Sequence, residues 1–419
     1  MKSARKDAPY AFEYARITDV AKSIRKQNVS PVELVEACLK RIEDLNPKLN
    51  AFITVLNDQA REQARTAEAE IKAGKWRGPL HGIPVAVKDF YDTAGIKTTA
   101  ACEQFKDRVP AKDALGVQKL KRAGAIIIGK TNMHRLGMGT TGLEGAFGPA
   151  RNPWNPDYIP GGSSSGSAAA VASGLCYATL DTDAVGSCRL PAACCGIVGF
   201  KGTYGLISPQ GILEGEEADE MILWLSHPAI TTRSVEDTVL LLDVLAERNK
   251  RTKTVDYGRA LKRDRQLRIG VANNFKADPQ VKPSFERAVK KIRKFGYSMK
   301  SAPVPFGDPE GGIANIEADR QMIAGQAFRD IDILLLPTTT TTVPGIKDAG
   351  SNPQALSPEN TAFANYYGLP AISVLCGFDA KGLPLGLQMV GKPWGESAVL
   401  RIAYQYQAVS GYSNRHPYQ

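Results

Sequence analysis

Apolar positions along the chain fall into two textures. Over the first 80 residues they recur at helical spacing, with Leu34, Val35, Cys38, Leu39 and Ile42 on one face. Ser30-Pro31-Val32-Glu33 ahead of them forms a capping box with proline at the first helical position. A second helix is predicted over 57–73, ended by Gly74-Lys75. From residue 83 the pattern changes to short, nearly continuous apolar runs at 83–87, 125–128, 196–200, 267–271, 331–337, 371–375 and 385–390. Runs of this kind need cover on both faces, and they alternate with helical stretches. The pattern therefore predicts an α/β fold, with a large, mostly parallel mixed sheet covered by helices on both faces. No internal repeat or low-complexity linker interrupts it, which predicts a single domain over 1–419, with an N-terminal helical layer at 1–80 and an α/β core at 81–419.

Composition narrows the class. At 43% apolar and 23% charged residues the chain sits in the soluble globular range, away from disorder. No window holds 18 consecutive apolar residues, and the N-terminal MKSARKDAPYAFEYAR has basic residues with no apolar stretch behind them. Neither a membrane span nor a signal peptide is predicted, and the expected location is cytoplasmic. Seven cysteines at 38, 102, 176, 188, 194, 195 and 376, with no C-x-x-C, point to reduced, buried thiols and no metal site. The net charge of +10 is local: residues 248–300 hold 17 basic and 4 acidic side chains. Within them, VKKIRKFGY at 289–297 reads as an amphipathic helix turning Lys290, Lys291 and Lys294 to water. A solvated face explains that run, and nucleic acid is disfavoured as a partner.

Glycine and serine crowd residues 137–205 far beyond what a core needs, which marks a site. Three chemistries compete for it. Gly124-Ala125-Ile126-Ile127-Ile128-Gly129-Lys130-Thr131 fits the phosphate-loop pattern letter for letter, but its middle is strand-like and follows a helix, where a free loop is required. Gly162-Ser163-Ser164-Ser165-Gly166 fits a nucleophile elbow with Ser164 at its centre and Asp379 and His416 following in order. That elbow must follow a strand, whereas NPWNPDYIP precedes it, and only His81, His134, His227 and His416 exist as bases. The third chemistry needs no histidine. A lysine held neutral by an apolar strand can move protons for a serine nucleophile, and Lys88 ends the run Ile83-Pro84-Val85-Ala86-Val87.

GGSSSGSAAAVASG from Gly161 and DTDAVGSCRLPAACCGIVGFKGTYGLIS from Asp181 closely resemble the glycine- and serine-rich signature of the amidase signature family. HGIPVAVKD at 81, GKTNMH at 129, FGPARNPWNP at 147, DILLLPTTTTTVP at 332 and GLPAISVLCGFDAKGLPLGLQMVGKPWGE at 368 resemble further blocks of it, so the likeness covers nearly the whole chain. The resemblance implies an amidase that hydrolyses a carboxamide to carboxylate and ammonia or amine. It implies a Ser-cisSer-Lys triad in which Lys88 is the base, Ser163 the bridging serine in a cis peptide, and Ser187 the nucleophile that becomes acylated. It further implies an oxyanion hole from the backbone amides of Ala184, Val185, Gly186 and Ser187, with Asp183 and Arg189 as a supporting ion pair. Ser164, Ser165 and Ser167 are left to cap the helix after them.

No cofactor or metal is expected. The expected partner is a small-molecule amide, with a homodimer allowed, no membrane, and esters as a side activity. Two alternatives stand beside this: a glutaminase-type subunit of a tRNA-dependent amidotransferase, and an impaired member with a binding role. The chain departs from the family pattern at Asp181, where glycine is usual, and at Ala184-Val185, where a Thr or Ile and a glycine are usual. A β-branched residue penalises positive φ, so either the loop uses β-region angles at Val185 or the oxyanion hole is distorted. Only about 25 residues separate Gly307 from Asp332, where the family has a longer segment roofing the pocket. Phe147, Trp154, Tyr204, Phe363 and Tyr367 are the aromatic candidates for an apolar acyl site.

Overall fold

A computed structural model describes residues 12–217, 219–248, 251–252, 255–263, 265–306 and 313–418. The N-terminal stretch read for a signal peptide and the start of the shortened segment (307–312) lie largely or wholly outside them. Eleven strands form one sheet: β1 (Phe52–Val55), β2 (Pro84–Lys88), β3 (Ile126–Thr131), β4 (Ala178–Asp183), β5 (Val198–Lys201), β6 (His227–Thr232), β7 (Arg268–Ala272), β8 (Ser298–Ala302), β9 (Ile333–Pro337), β10 (Ala371–Phe378) and β11 (Pro384–Gly391). Their order is β1-β3-β2-β4-β6-β5-β10-β11-β9-β7-β8. Every residue of β2, β3, β4, β5, β6, β9 and β11 is buried, as cover on both faces requires.

The large mixed sheet matches expectation, but its parallel part is smaller than the apolar runs suggested. Parallel pairing is confined to β3-β2-β4 and β9-β7-β8, and the other neighbours are antiparallel. A continuous apolar run reports burial on two faces and carries no information about direction. Direction follows the connections. The helices Leu115–Arg122 and Lys282–Arg293 lie in crossovers between parallel partners, while a five-residue turn joins β10 to β11 as a hairpin.

The predicted N-terminal helix is present as Pro31–Leu49, with Ser30 and Glu33 closing the capping box. The second runs Asn57–Lys72. Between them β1 adds an edge strand that the helical pattern did not announce. The basic helix spans Lys282–Arg293 and buries Phe285, Ala288, Val289 and Ile292. Lys290 and Lys294 face water as expected; Lys291 is half-buried and donates to the Ser410 carbonyl instead. All seven cysteines are free and buried. Among the described residues no helix is long and apolar enough to cross a membrane.

Candidate active site

Lys88 is the last residue of β2, a strand buried throughout and flanked by β3 and β4. Its side chain is 0% exposed. The amine donates to Ser163 Oγ at 2.7 Å and Thr182 Oγ1 at 2.8 Å, and lies 5.1 Å from the centre of the Phe90 ring. Burial pushes the ammonium down to about 8, against the opposing pull of Asp181, Cys188 and Asp183. A neutral amine accepting from a hydroxyl is thus within reach near neutral pH.

Ser163 sits in the loop entering the helix Ser165–Ala172, and its peptide bond to Gly162 is cis. His134 donates its backbone N–H to the Ser163 carbonyl at 3.0 Å. Gly162 admits no side chain: a Cβ there would stand 2.9 Å from the Thr140 carbonyl carbon and from Thr141 N. The glycines of this stretch therefore let the serine loop press against the chain at 140–142. Ser164 N–H donates to the Ser187 carbonyl at 3.1 Å, which lays the two serine segments side by side.

Ser187 lies between β4 and the helix Arg189–Cys195 and is 4% exposed. Asp183 organises this loop. Its carboxylate accepts from the amides of Gly186 (2.8 Å), Cys188 (3.3 Å) and Arg189 (3.3 Å) and from Asn365 Nδ2 (3.0 Å). Arg189 adds Nε and Nη2, each at 2.9 Å, and spends its remaining donors on Gln388, Asn365 and the Thr361 carbonyl. Burial alone would raise the Asp183 carboxyl, but the Arg189 guanidinium holds it well below the usual carboxylate range.

One expectation about this loop changes, and the alternative left open at Val185 is resolved. The resemblance gives Gly186 an oxyanion-binding amide, yet that N–H already points back to Asp183; the amides of Ala184, Val185 and Ser187 have no acceptor among the described residues. The positive φ also falls at Gly186 (131°) and not at Val185, so the β-branched side chain is accommodated without left-handed backbone.

The competing motifs disperse. Lys130 lies inside β3, buried, donating to the Tyr91 carbonyl (2.8 Å) and Thr98 (2.6 Å) and paired with Asp89 at 3.2 Å, so no phosphate loop exists there. Ser164 donates to the Thr182 carbonyl at 3.3 Å; His416 stacks on Tyr14, and Asp379 accepts amides of the β10–β11 turn. The expected helix caps are absent: Ser164 makes no side-chain cap, and Ser167 bonds Thr131. Among the aromatic candidates, Phe363 is core, Trp154 donates to the Cys195 carbonyl, Tyr204 stacks under Arg320, and Phe147 is 38% exposed. Thr182, Thr361, Asn365 and Gln388 were not anticipated. Thr182 alone left a trace, as a hydroxyl between two acids in a stretch already marked as a site.

The Amidase family model matches residues 33–317 and 313–400. The chain belongs to the amidase family. It is 33% identical over 471 aligned positions to the glutamyl-tRNA(Gln) amidotransferase A-subunit of Geobacter metallireducens, covering 93% of this chain and 96% of that one. Its counterpart in Thermosynechococcus vestitus is 32% identical, with 96% and 99% covered. These alignments are longer than the 419-residue chain, so the relatives carry residues with no counterpart here. Among solved structures, the 6-aminohexanoate cyclic dimer hydrolase superposes with TM-score 0.83 at 27% identity over 97% of this chain and 99% of that one. The peptide amidase of Stenotrophomonas maltophilia gives 0.82 at 26%, over 96% and 98%. An enzyme of amide bonds follows from family membership.

Proposed function

We propose that this family member is a hydrolytic amidase in which Ser187 attacks the carboxamide carbonyl. Its Oγ proton passes to Ser163 Oγ as the Ser163 proton passes to the neutral Lys88 amine. The tetrahedral oxyanion is received by the free amides of the 184–187 loop, held in place by Asp183 and Arg189. Return of the proton from Lys88 through Ser163 to the departing nitrogen expels ammonia or an amine and leaves the acyl-enzyme. Water, activated by the same relay, then releases the carboxylate. The observation that carries this reading is the buried 2.7 Å hydrogen bond from Lys88 to Ser163, with Ser163 adjoining the Ser187 segment. The reading needs no cofactor, includes a small-molecule amide as substrate and a cytoplasmic location, and allows a homodimer without requiring one.

A panel of simple aryl, alkyl and peptide amides, offered to the purified chain with no partner, tests it beside Ser187→Ala and a fluorophosphonate label. Turnover and labelling lost together in Ser187→Ala support the reading; turnover kept in that variant sinks it. The relatives' names favour one second reading, a glutaminase-type component of an amidotransferase. If the chain is inert on the whole panel and gains glutamine hydrolysis only with a co-purifying protein, that role is established.

A further inference from the structure

Sheet register sets Asp181 beside Lys88. Val87 of β2 pairs in parallel with Leu180 of β4, so the next residue on each strand, Lys88 and Asp181, lie one strand spacing (about 4.8 Å) apart. Asp181 is 0% exposed. Its Oδ2 accepts from Thr179 Oγ1 at 2.6 Å and Thr231 Oγ1 at 2.7 Å, and its backbone oxygen from the Tyr91 hydroxyl at 2.6 Å. Oδ1 accepts no hydrogen bond of good geometry, although the Ser167 hydroxyl, bonded to Thr131, lies near enough to favour the charged carboxylate, and no Lys, Arg or His nitrogen comes within 4.0 Å of the carboxyl among the described residues.

A carboxyl buried in this way is costly, and a strand interior needs no acid there. What it faces is the amine the chemistry depends on. The charged and titratable groups around Lys88 are Asp181 and Asp183 on β4, Cys188 in the following loop and His134. Asp181 acts electrostatically on Lys88, Tyr91, Cys188 and Cys176. Burial drives the Asp181 carboxyl up while Lys88 pulls it down; burial drives the Lys88 ammonium down, and Asp181 is the foremost group opposing that.

Resting on the reading of Lys88 as base, we propose that Asp181 is a positioning residue. Its buried carboxyl, one strand away, holds the proton on the Lys88 amine and so decides how readily that amine accepts one from Ser163. Thr179 and Thr231 favour the charged carboxylate by donating to it, and thereby strengthen its hold.

The test is the pH dependence of kcat/KM on one amide substrate for wild type, Asp181→Asn and Thr231→Val. Asp181→Asn keeps the shape and removes the charge; the acid limb is expected to move down by about one pH unit, with the high-pH plateau within about threefold. Thr231→Val keeps the carboxyl and removes one donor, so its limb moves the same way by less, and it serves alone if Asp181→Asn does not fold. A merely structural Asp181 would lower the plateau and leave the limb in place. Limbs that superimpose on wild type overturn the proposal. Lys88→Met separates the two claims: activity retained in it removes the base reading itself, whereas an inactive Lys88→Met with unmoved limbs removes only the role of Asp181.

Discussion

Arg189 grips Asp183 from two sides, Nε on Oδ2 and Nη2 on Oδ1, each at 2.9 Å, with both side chains fully buried. The same carboxylate fastens the amides on either side of Ser187, so the pair holds the loop that presents the nucleophile. Replacing one partner strands the other charge in the interior. Arg189→Met is therefore expected to cost about 3–5 kcal/mol of stability by chemical denaturation. The double variant with Asp183→Asn should cost clearly less than the two singles added together. Strict additivity would show that the loop does not depend on the pair.

Lys88 gives the pH behaviour its sign. The proposed base works as a free amine, and burial brings its proton affinity down to about 8, so the working fraction grows as pH rises through that value. kcat/KM should climb about tenfold per pH unit below it and level off above. Lys88→Arg keeps a cation that never deprotonates, so activity should fall by about 10²–10⁴-fold, measured with an amide substrate. A flat profile from about pH 6 to about pH 9 would contradict a lysine base.

What could be seen in the sequence divides along physical lines. The apolar runs announced β2, β3, β5, β7, β9, β10 and β11 because burial on two faces writes itself as continuous hydrophobicity. β4 and β6 went unread for the opposite reason. ATLDTD and HPAITT are buried strands that carry polar residues held by local partners, one oxygen of Asp181 by Thr179 and Thr231 and Asp183 by Arg189 of the following helix. Hydrophobicity cannot report such strands, and they are the ones beside the candidate site. The placement of Lys88, Ser163 and Ser187 came from resemblance. The return of the Gly186 amide to Asp183 came from neither, since it depends on how a five-residue loop closes.

Lys130 illustrates a motif explained by the fold. Its ammonium is buried against Asp89, Thr98 and the Tyr91 carbonyl, and burial lowers its proton affinity while Asp89 opposes the shift. Lys130→Met should cost about 3–5 kcal/mol through the uncompensated carboxylate it leaves, and adding Asp89→Asn should recover part of that loss. Nucleotide binding measured by calorimetry should be nil in wild type and variant alike; ATP affinity that disappears in Lys130→Met would restore the phosphate-loop reading.

The oxyanion loop allows a sharper comparison between neighbours. At Gly186 the φ of 131° excludes ordinary side chains, and a Cβ would stand 2.4 Å from Thr361 Oγ1 and 2.9 Å from Leu190 Cγ. Gly186→Ala must therefore move the loop, turning the free amides of Val185 and Ser187 away from a developing oxyanion. A loss of about 10²–10³-fold in kcat is expected, with KM changed far less. Shortening Thr361 as well should recover only a fraction, because the backbone angle remains unsuitable for alanine. At Val185 the backbone is free of that restriction, so Val185→Gly should hold kcat within about tenfold and cost about 1 kcal/mol of stability through added chain entropy. If instead Val185→Gly raised kcat a hundredfold, the valine would be what distorts the loop, and the amides it carries would not be preset for the oxyanion.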